Sequence, residues 1–153
     1  MKKTILAIAL FMSVVSLSQA QGISKAIGAR FGYGGEISYQ HPLTNSTRLE
    51  LDLGWFGSKH GTFLLSGVHQ WVMNIQDGFN WYAGLGPQIG TAWYDKDDKY
   101  GLGLGVAGQI GIEYNFPIPL QLSLDWRPNW LIIPSGYGFF PENGIALGIR
   151  YRF

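Results

Sequence analysis

Apolar and polar residues alternate with a period of two along most of this chain. The closing stretch shows the pattern at its clearest. In Ile145-Ala146-Leu147-Gly148-Ile149-Arg150-Tyr151-Arg152-Phe153, one face carries Ile145, Leu147, Ile149, Tyr151 and Phe153, and the other carries Ala146, Gly148, Arg150 and Arg152. Side chains two apart share a face of a β-strand, so this is a strand with one greasy face and one small or charged face. Helical periodicity is absent. The alternation predicts eight strands, at Ala26–Gly32, Gly35–Gln40, Thr47–Trp55, Thr62–Asn74, Phe79–Gly90, Gly101–Asn115, Leu120–Arg127 and Asn143–Phe153. The connections Pro42 to Ser46, Gln76-Asp77-Gly78 and Asn115 to Pro119 are short and rich in turn formers. Thr91 to Tyr100 and Pro128 to Glu142 read as longer loops.

Short turns alternating with longer loops match an up-and-down barrel of the outer-membrane kind, with both termini at the short-turn, periplasmic side. The first hairpin leaves an alternative, because Ala26–Tyr39 also reads as one long strand and would give seven. Bacterial barrels of this class use even strand numbers, which favours eight. The expected fold is therefore all-β, an eight-stranded antiparallel up-and-down transmembrane β-barrel. A faint internal echo agrees in phase, since Tyr39-Gln40-His41-Pro42-Leu43 resembles Tyr114-Asn115-Phe116-Pro117-Ile118.

The charges sort by face. Arg30, Arg48, Arg127, Arg150 and Arg152 all fall in or at the end of a strand, opposite its large apolar residues, as do Glu36, Glu50, Asp52, Glu113 and Asp125. Lys59, Lys96 and Lys99 fall in loops, with Asp95, Asp97, Asp98 and Glu142, while Asp77 takes a turn. An eight-stranded barrel is only just wide enough for its inward side chains. Buried charges there need partners, and arginine meets carboxylates bidentately. These ten residues are expected to form a lumen charge network that closes the interior. A row of sites for a polar solute is the functional alternative. On the other face lie Leu49, Leu51, Leu53 and Trp55, then Leu102 to Tyr114, then Leu120, Leu122, Leu124 and Trp126. Trp55, Trp126 and Trp130 would form one aromatic belt, and Tyr39, Trp71, Tyr114 and Tyr151 the other, as membrane interfaces favour. Period two does not say which face is inside. A soluble lipocalin-like barrel would invert it, with arginines in solvent and tryptophans around a ligand cavity.

Composition and the N-terminus narrow the choice. Met1-Lys2-Lys3, the apolar run Ile5 to Val15 and Ser18-Gln19-Ala20 read as a signal peptide, residues 1–20, cleaved after Ala20 to leave a barrel domain at 21–153. The apolar run is shorter than the ~20 residues of a spanning helix. Without Lys2 and Lys3, nine basic residues face ten acidic ones, a balance that does not suggest nucleic-acid binding. No cysteine is present to staple a small exported domain. Closure of a barrel in lipid is another route to stability. Aromatic residues at 15%, with 22 glycines and only 14% charged residues, agree with lipid-facing rings and bent strands.

Candidate chemistry is sparse. His41, His60 and His69 share no metal-ligand spacing. Asp95-Lys96-Asp97-Asp98-Lys99 lacks the sixth-position glycine and distal Glu of a calcium loop. Gly101-Leu102-Gly103-Leu104-Gly105 spaces its glycines as a strand does, with no helix after it. Ser66 and His69, like Ser38 and His41, are three apart and so fall on opposite strand faces. A Ser/His/acid site assembled from separate strands stays open, since such sites are spatial. No metal and no cofactor are expected.

With these residues in place, the chain resembles the small eight-stranded outer-membrane β-barrel proteins of Gram-negative bacteria. That class includes adhesion- and defence-type barrels and the membrane domain of the peptidoglycan-linked porin-like protein. The matching stretches are Gly144 to Phe153 and Glu113-Tyr114-Asn115-Phe116. Glu36-Ile37-Ser38-Tyr39-Gln40 and Leu124-Asp125-Trp126-Arg127-Pro128 look like barrels of Bacteroidetes-type bacteria. The resemblance implies an outer-membrane monomer in contact with lipid and lipopolysaccharide. It also implies a C-terminal signal, Tyr151 and Phe153, read by the barrel-assembly machinery. It carries no single activity. The expected role is structural or interactive with a non-conducting lumen, and a lipid A-modifying enzyme (deacylase or acyltransferase) is the alternative.

Overall fold

The computed structural model describes residues 23–56, 62–94, 99–133 and 144–153. Its strand segments are β1 (Ala26–Phe31), β2 (Gly35–Pro42), β3 (Thr47–Phe56), β4 (Thr62–Gln76), β5 (Phe79–Tyr94), β6 (Lys99–Asn115), β7 (Leu120–Arg127), β8 (Asn129–Ile133) and β9 (Gly144–Arg152). β7 and β8 are two halves of one stave, since both pair antiparallel with β6 and only Pro128 separates them. Proline has no N–H to give a ladder. Gly108 still donates to the Pro128 carbonyl at 2.8 Å, so the stave continues across the break. Each remaining strand pairs antiparallel with its sequence neighbour, β9 pairs with both β1 and β7, and β5 pairs with β6. The result is a closed eight-stave antiparallel barrel, with β8 paired on one side, to β6, among the described residues.

The first hairpin is two strands joined by a tight turn at Gly32-Tyr33-Gly34, where Gly32 N–H donates to the Gly34 carbonyl at 3.0 Å. That settles eight against seven. Two expected loops are shortened. β5 and β6 pair as far as Tyr94↔Lys99, so Thr91–Tyr94, Lys99 and Tyr100 are strand. Adjacent aromatics at Trp93-Tyr94 hide the alternation there. Asn129–Ile133 is likewise strand and not loop, because β6 holds this stave beyond the proline that reads as its end. The signal-peptide segment, Lys59, His60, residues 95–98 and Glu142 lie outside the described residues.

The turns sit where backbone chemistry requires them. Asp77-Gly78 closes the β4–β5 hairpin, and Gly78 takes φ 75°, a left-handed conformation open to glycine. Thr44 caps the β2–β3 turn, its hydroxyl accepting from the N–H groups of Ser46 (3.2 Å) and Thr47 (3.0 Å).

Alternation decides the two surfaces. Along β3, Arg48, Glu50, Asp52, Gly54 and Phe56 are buried, while Leu51, Leu53 and Trp55 are exposed, Trp55 at 67%. The arginines Arg30, Arg48, Arg127 and Arg150 are at most 1% exposed. The inverted, lipocalin-like arrangement is thus not the one adopted. Phe56 is also inside, near the end of the barrel that carries the longer loops. Its ring fills space that glycines leave free: a Cβ on Gly34 would stand 2.4 Å from Phe56 Cδ1, and one on Gly54 2.7 Å from Phe56 Cε2.

The stagger of the barrel determines who meets whom across the interior. From Asp52, cross-strand partners run through Ser66, Gln88 and Gly105 to Leu131 on the β7/β8 stave. Followed the other way, they run through Ser38, Gly28 and Arg150 to Gln121 on that same stave. The two routes end ten residues apart (131 against 121), which is the shear of the barrel. The residues level with Asp52 on the far wall therefore lie midway, at Asp125 and Arg127.

Tyr82 shows how tightly the interior is filled. It is fully buried, and its cross-strand partner Gly111 has no side chain. A Cβ on Gly111 would stand 2.7 Å from Tyr82 Cζ and 2.5 Å from Asp125 Cβ. Gly111→Val should therefore destabilise the barrel by about 2 kcal/mol or more through overpacking, read as a lower urea midpoint in detergent micelles. Gly35→Ala, where a Cβ meets nothing within 4 Å, should leave the midpoint nearly unchanged.

Candidate functional site

The interior is built around Glu50. This fully buried carboxylate accepts from Gln40 Nε2 (2.6 Å), Gln109 Nε2 (3.0 Å), Arg127 Nη2 (2.8 Å) and Arg150 Nη2 (3.0 Å). Four donors on β2, β6, β7 and β9 thus converge on one side chain of β3. Arg150 also donates to Ser38 Oγ (2.9 Å) and Ser123 Oγ (2.7 Å), which sets its fork across the barrel. A Cβ on the neighbouring Gly148 would stand 2.6 Å from Arg150 Nη1.

Two further groupings flank this hub. Arg30 pairs with Glu36 on β2 and Asp125 on β7. Asp125 also accepts from the Tyr82 hydroxyl at 2.9 Å. Arg127 reaches Glu36 (3.3 Å) and Asp52 (2.6 Å) besides Glu50. On the opposite flank, Arg48 meets Glu113 bidentately at 3.1 and 2.6 Å, donates to Gln70 Oε1 at 2.6 Å and lies 5.0 Å from the Tyr82 ring centroid. Gln70 in turn donates to Gln109 Oε1 at 2.7 Å, joining this flank to the hub.

Shear explains these pairings. The row from Arg30 through Gly148 reaches Ser123 on β7, and the actual partner stands two residues beyond, at Asp125. The row from Arg48 through Gln70 and Gly84 reaches Gln109 on β6, and the partner is Glu113, four residues on.

Of the ten residues assigned to the lumen from sequence, nine lie within this connected set: Arg30, Glu36, Arg48, Glu50, Asp52, Glu113, Asp125, Arg127 and Arg150. Arg152 does not. It pairs with Ala26 at the last step of the β1–β9 ladder and donates to the carbonyls of Phe116 (2.8 Å) and Ile118 (3.4 Å). Alternation gives Arg152 the inward phase, but the wall ends there, so it ties the β6–β7 turn to the rim. Sequence reasoning missed the neutral part of the network: Gln40, Gln70, Gln88, Gln109, Gln121 and Tyr82, all buried. All but Gln70 share parity with a charged or glycine position on their strand, which was the available signal; on β4 the inward phase of Gln70 is shared with Ser66 and Val68.

Outside, Tyr39, Tyr114 and Tyr151 are half-buried, while Trp55, Trp71, Trp126 and Trp130 are exposed. Trp130 sits on β8 and not in a loop. Phe153 donates its N–H to the Lys25 carbonyl at 2.9 Å, which ties the two chain ends together. His69 lies on the outer face, edge-on to Trp71 with centroids 4.7 Å apart, while Ser66 is inside and accepts from Gln88 Nε2 at 3.0 Å. His41 contacts Tyr39 Oη at 3.2 Å on the exposed side, while Ser38 is buried. Neither Ser/His couple comes together.

A closed eight-stave barrel with ionic groups inside and hydrocarbon outside is an outer-membrane-type fold. Two solved structures share it: the N-terminal β-barrel domain of Pseudomonas aeruginosa OprF (TM-score 0.58, 18% identity, 85% of this chain and 96% of that one) and Neisserial surface protein A, NspA (TM-score 0.57, 14% identity, 85% and 94%). No protein-family model and no curated protein sequence matches the chain.

The Arg48–Glu113 pair offers a direct energetic test. Arg48→Met or Glu113→Met alone should cost about 3–5 kcal/mol, because each leaves a buried charge without its partner. The double variant should recover most of that loss, as double-mutant-cycle unfolding in micelles would show.

Proposed function

We propose that this protein is an integral outer-membrane barrel with a structural or interaction role and a closed, non-conducting lumen. The carrying observation is the sorting of side chains by face. Leu51, Leu53, Leu124, Ile110, Ile112 and Ile149 are exposed around the wall, while the charged residues are inward. So continuous an apolar surface is costly in water and matched to lipid. The fold shared with the OprF barrel domain and with the surface protein NspA supports the same address. In this reading the short-turn end faces the periplasm, and the exposed aromatics mark the two interfaces.

The ionic packing supports the closed lumen. Side chains from non-adjacent staves bond directly inside the barrel, as Arg30 of β1 does to Asp125 of β7 and Arg127 of β7 to Glu50 of β3 on the opposite wall. The role is non-enzymatic in this proposal, since the two Ser/His couples are split between faces. Lipid and lipopolysaccharide are its surroundings, the barrel-assembly machinery reads Tyr151 and Phe153, and the barrel works as a monomer.

Cell fractionation should recover the protein with the outer membrane, and recovery in the soluble periplasm would reject the address. In planar bilayers it should give no steady conductance, whereas a stable open channel would reject the closed lumen. Incubation with lipid A should leave the acyl pattern unchanged, and loss or gain of a chain would reject the non-enzymatic reading.

A further inference from the structure

Among the described residues, the buried charges do not balance. Five carboxylates, Glu36, Glu50, Asp52, Glu113 and Asp125, share the interior with four guanidiniums, Arg30, Arg48, Arg127 and Arg150. Four of the carboxylates are engaged by two or more donors. Glu50 accepts four bonds. Glu113 accepts from Arg48 and Asn80, Asp125 from Arg30 and Tyr82, and Glu36 from Arg30 and Arg127. Asp52 is the exception. Its Oδ2 accepts one bond, from Arg127 Nη2, an atom that also serves Glu50, and its Oδ1 is buried with no partner.

A second observation points to the same place. Gln88, only 2% exposed, turns its Nε2 to Ser66 Oγ at 3.0 Å, and Ser66 is the cross-strand neighbour of both Gln88 and Asp52. The Oε1 of Gln88 is left buried and unpartnered, as is the Oδ1 of Asn129 on β8, two residues beyond Arg127. Two acceptor oxygens, Asp52 Oδ1 on β3 and Gln88 Oε1 on β5, are thus buried without a donor on the loop side of the ionic hub, while Asn129 leaves both its Oδ1 and its Nδ2 unpartnered. Uncompensated acceptors around a surplus carboxylate need positive charge, and hard oxygen ligands suit hard cations.

We infer that the barrel interior binds one further monovalent cation at Asp52, held between the Asp52 carboxyl and the Ser66–Gln88 pair. An alkali ion or a proton on the carboxyl both supply that charge. The charged groups facing Asp52 are Arg127 from β7, Arg30 from β1, Glu36 from β2 and Glu50 from β3. Its cross-strand neighbour on β4 is the neutral Ser66, whose own neighbour on β5 is the neutral Gln88. The site lies below Phe56 and Leu64, both 1% exposed, which shield it from the loop end.

The test uses the refolded full barrel. Asp52→Asn keeps the shape and removes the surplus charge, so it should fold and melt no lower than wild type. Asp125→Asn, which removes a paired carboxylate, should melt well below it. Crystals soaked in thallium(I) would show an anomalous peak beside Asp52 Oδ1 if the occupant is an alkali ion, lost in Asp52→Asn. Infrared difference spectra would show the carbonyl stretch of a protonated carboxyl, absent in Asp52→Asn, if the occupant is a proton. Either signal supports the site and names its occupant. Absence of both, or an Asp52→Asn barrel as destabilised as Asp125→Asn, would overturn it.

Discussion

The constraint on which the structure depends is that its buried guanidiniums must be met by carboxylates on other staves. An isolated charge in the interior costs several kcal/mol, so a register that breaks the pairs is heavily penalised. Arg30 joins β1 to β2 and β7, Arg48 joins β3 to β6, and Arg127 and Arg150 bring β7 and β9 to Glu50 on β3. All of these contacts except Arg30 to Glu36 join staves that are not neighbours, whereas backbone ladders join only adjacent staves. The ionic core therefore selects the closed, sheared barrel over slipped alternatives, a discrimination that outward leucines cannot supply because one outward hydrocarbon contact resembles another.

Glycine makes that core geometrically feasible. Gly111 admits the Tyr82 ring and Asp125, Gly148 admits the Arg150 fork, and Gly54 admits Phe56. A narrow barrel can hold arginines and an aromatic plug only where the facing wall has no side chain. The high glycine content and the buried arginines are thus two sides of one packing solution.

Much of this was legible in the sequence, for a definite reason. Period two assigns each residue to a face, and it placed Arg48, Glu50 and Asp52 opposite Leu51 and Leu53 without any structure. It could not say which charge meets which. Partners across the lumen are set by the ten-residue shear, which depends on closure of the whole sheet and leaves no local mark. For the same reason the role of Glu50 as hub was invisible, as was the position of Arg152 at the rim, where the wall ends one pair beyond Arg150. Strand ends failed where local signals mislead: Pro128 reads as a terminator, yet β6 carries the stave on to Ile133. The neutral interior, Gln88 and Gln109 above all, was overlooked because an amide signals its surroundings less plainly than a charge.

The central claim is that one face of every strand meets lipid while the other meets the ionic core. With no native cysteine, single spin labels can be placed at will along Leu49–Trp55 and the barrel reconstituted in lipid vesicles. The account predicts that collision with oxygen, which concentrates in hydrocarbon, is high at Leu51 and Leu53, while collision with a water-soluble nickel complex stays low there. Labels at Leu51 and Leu53 that met the nickel complex freely and oxygen poorly would contradict it.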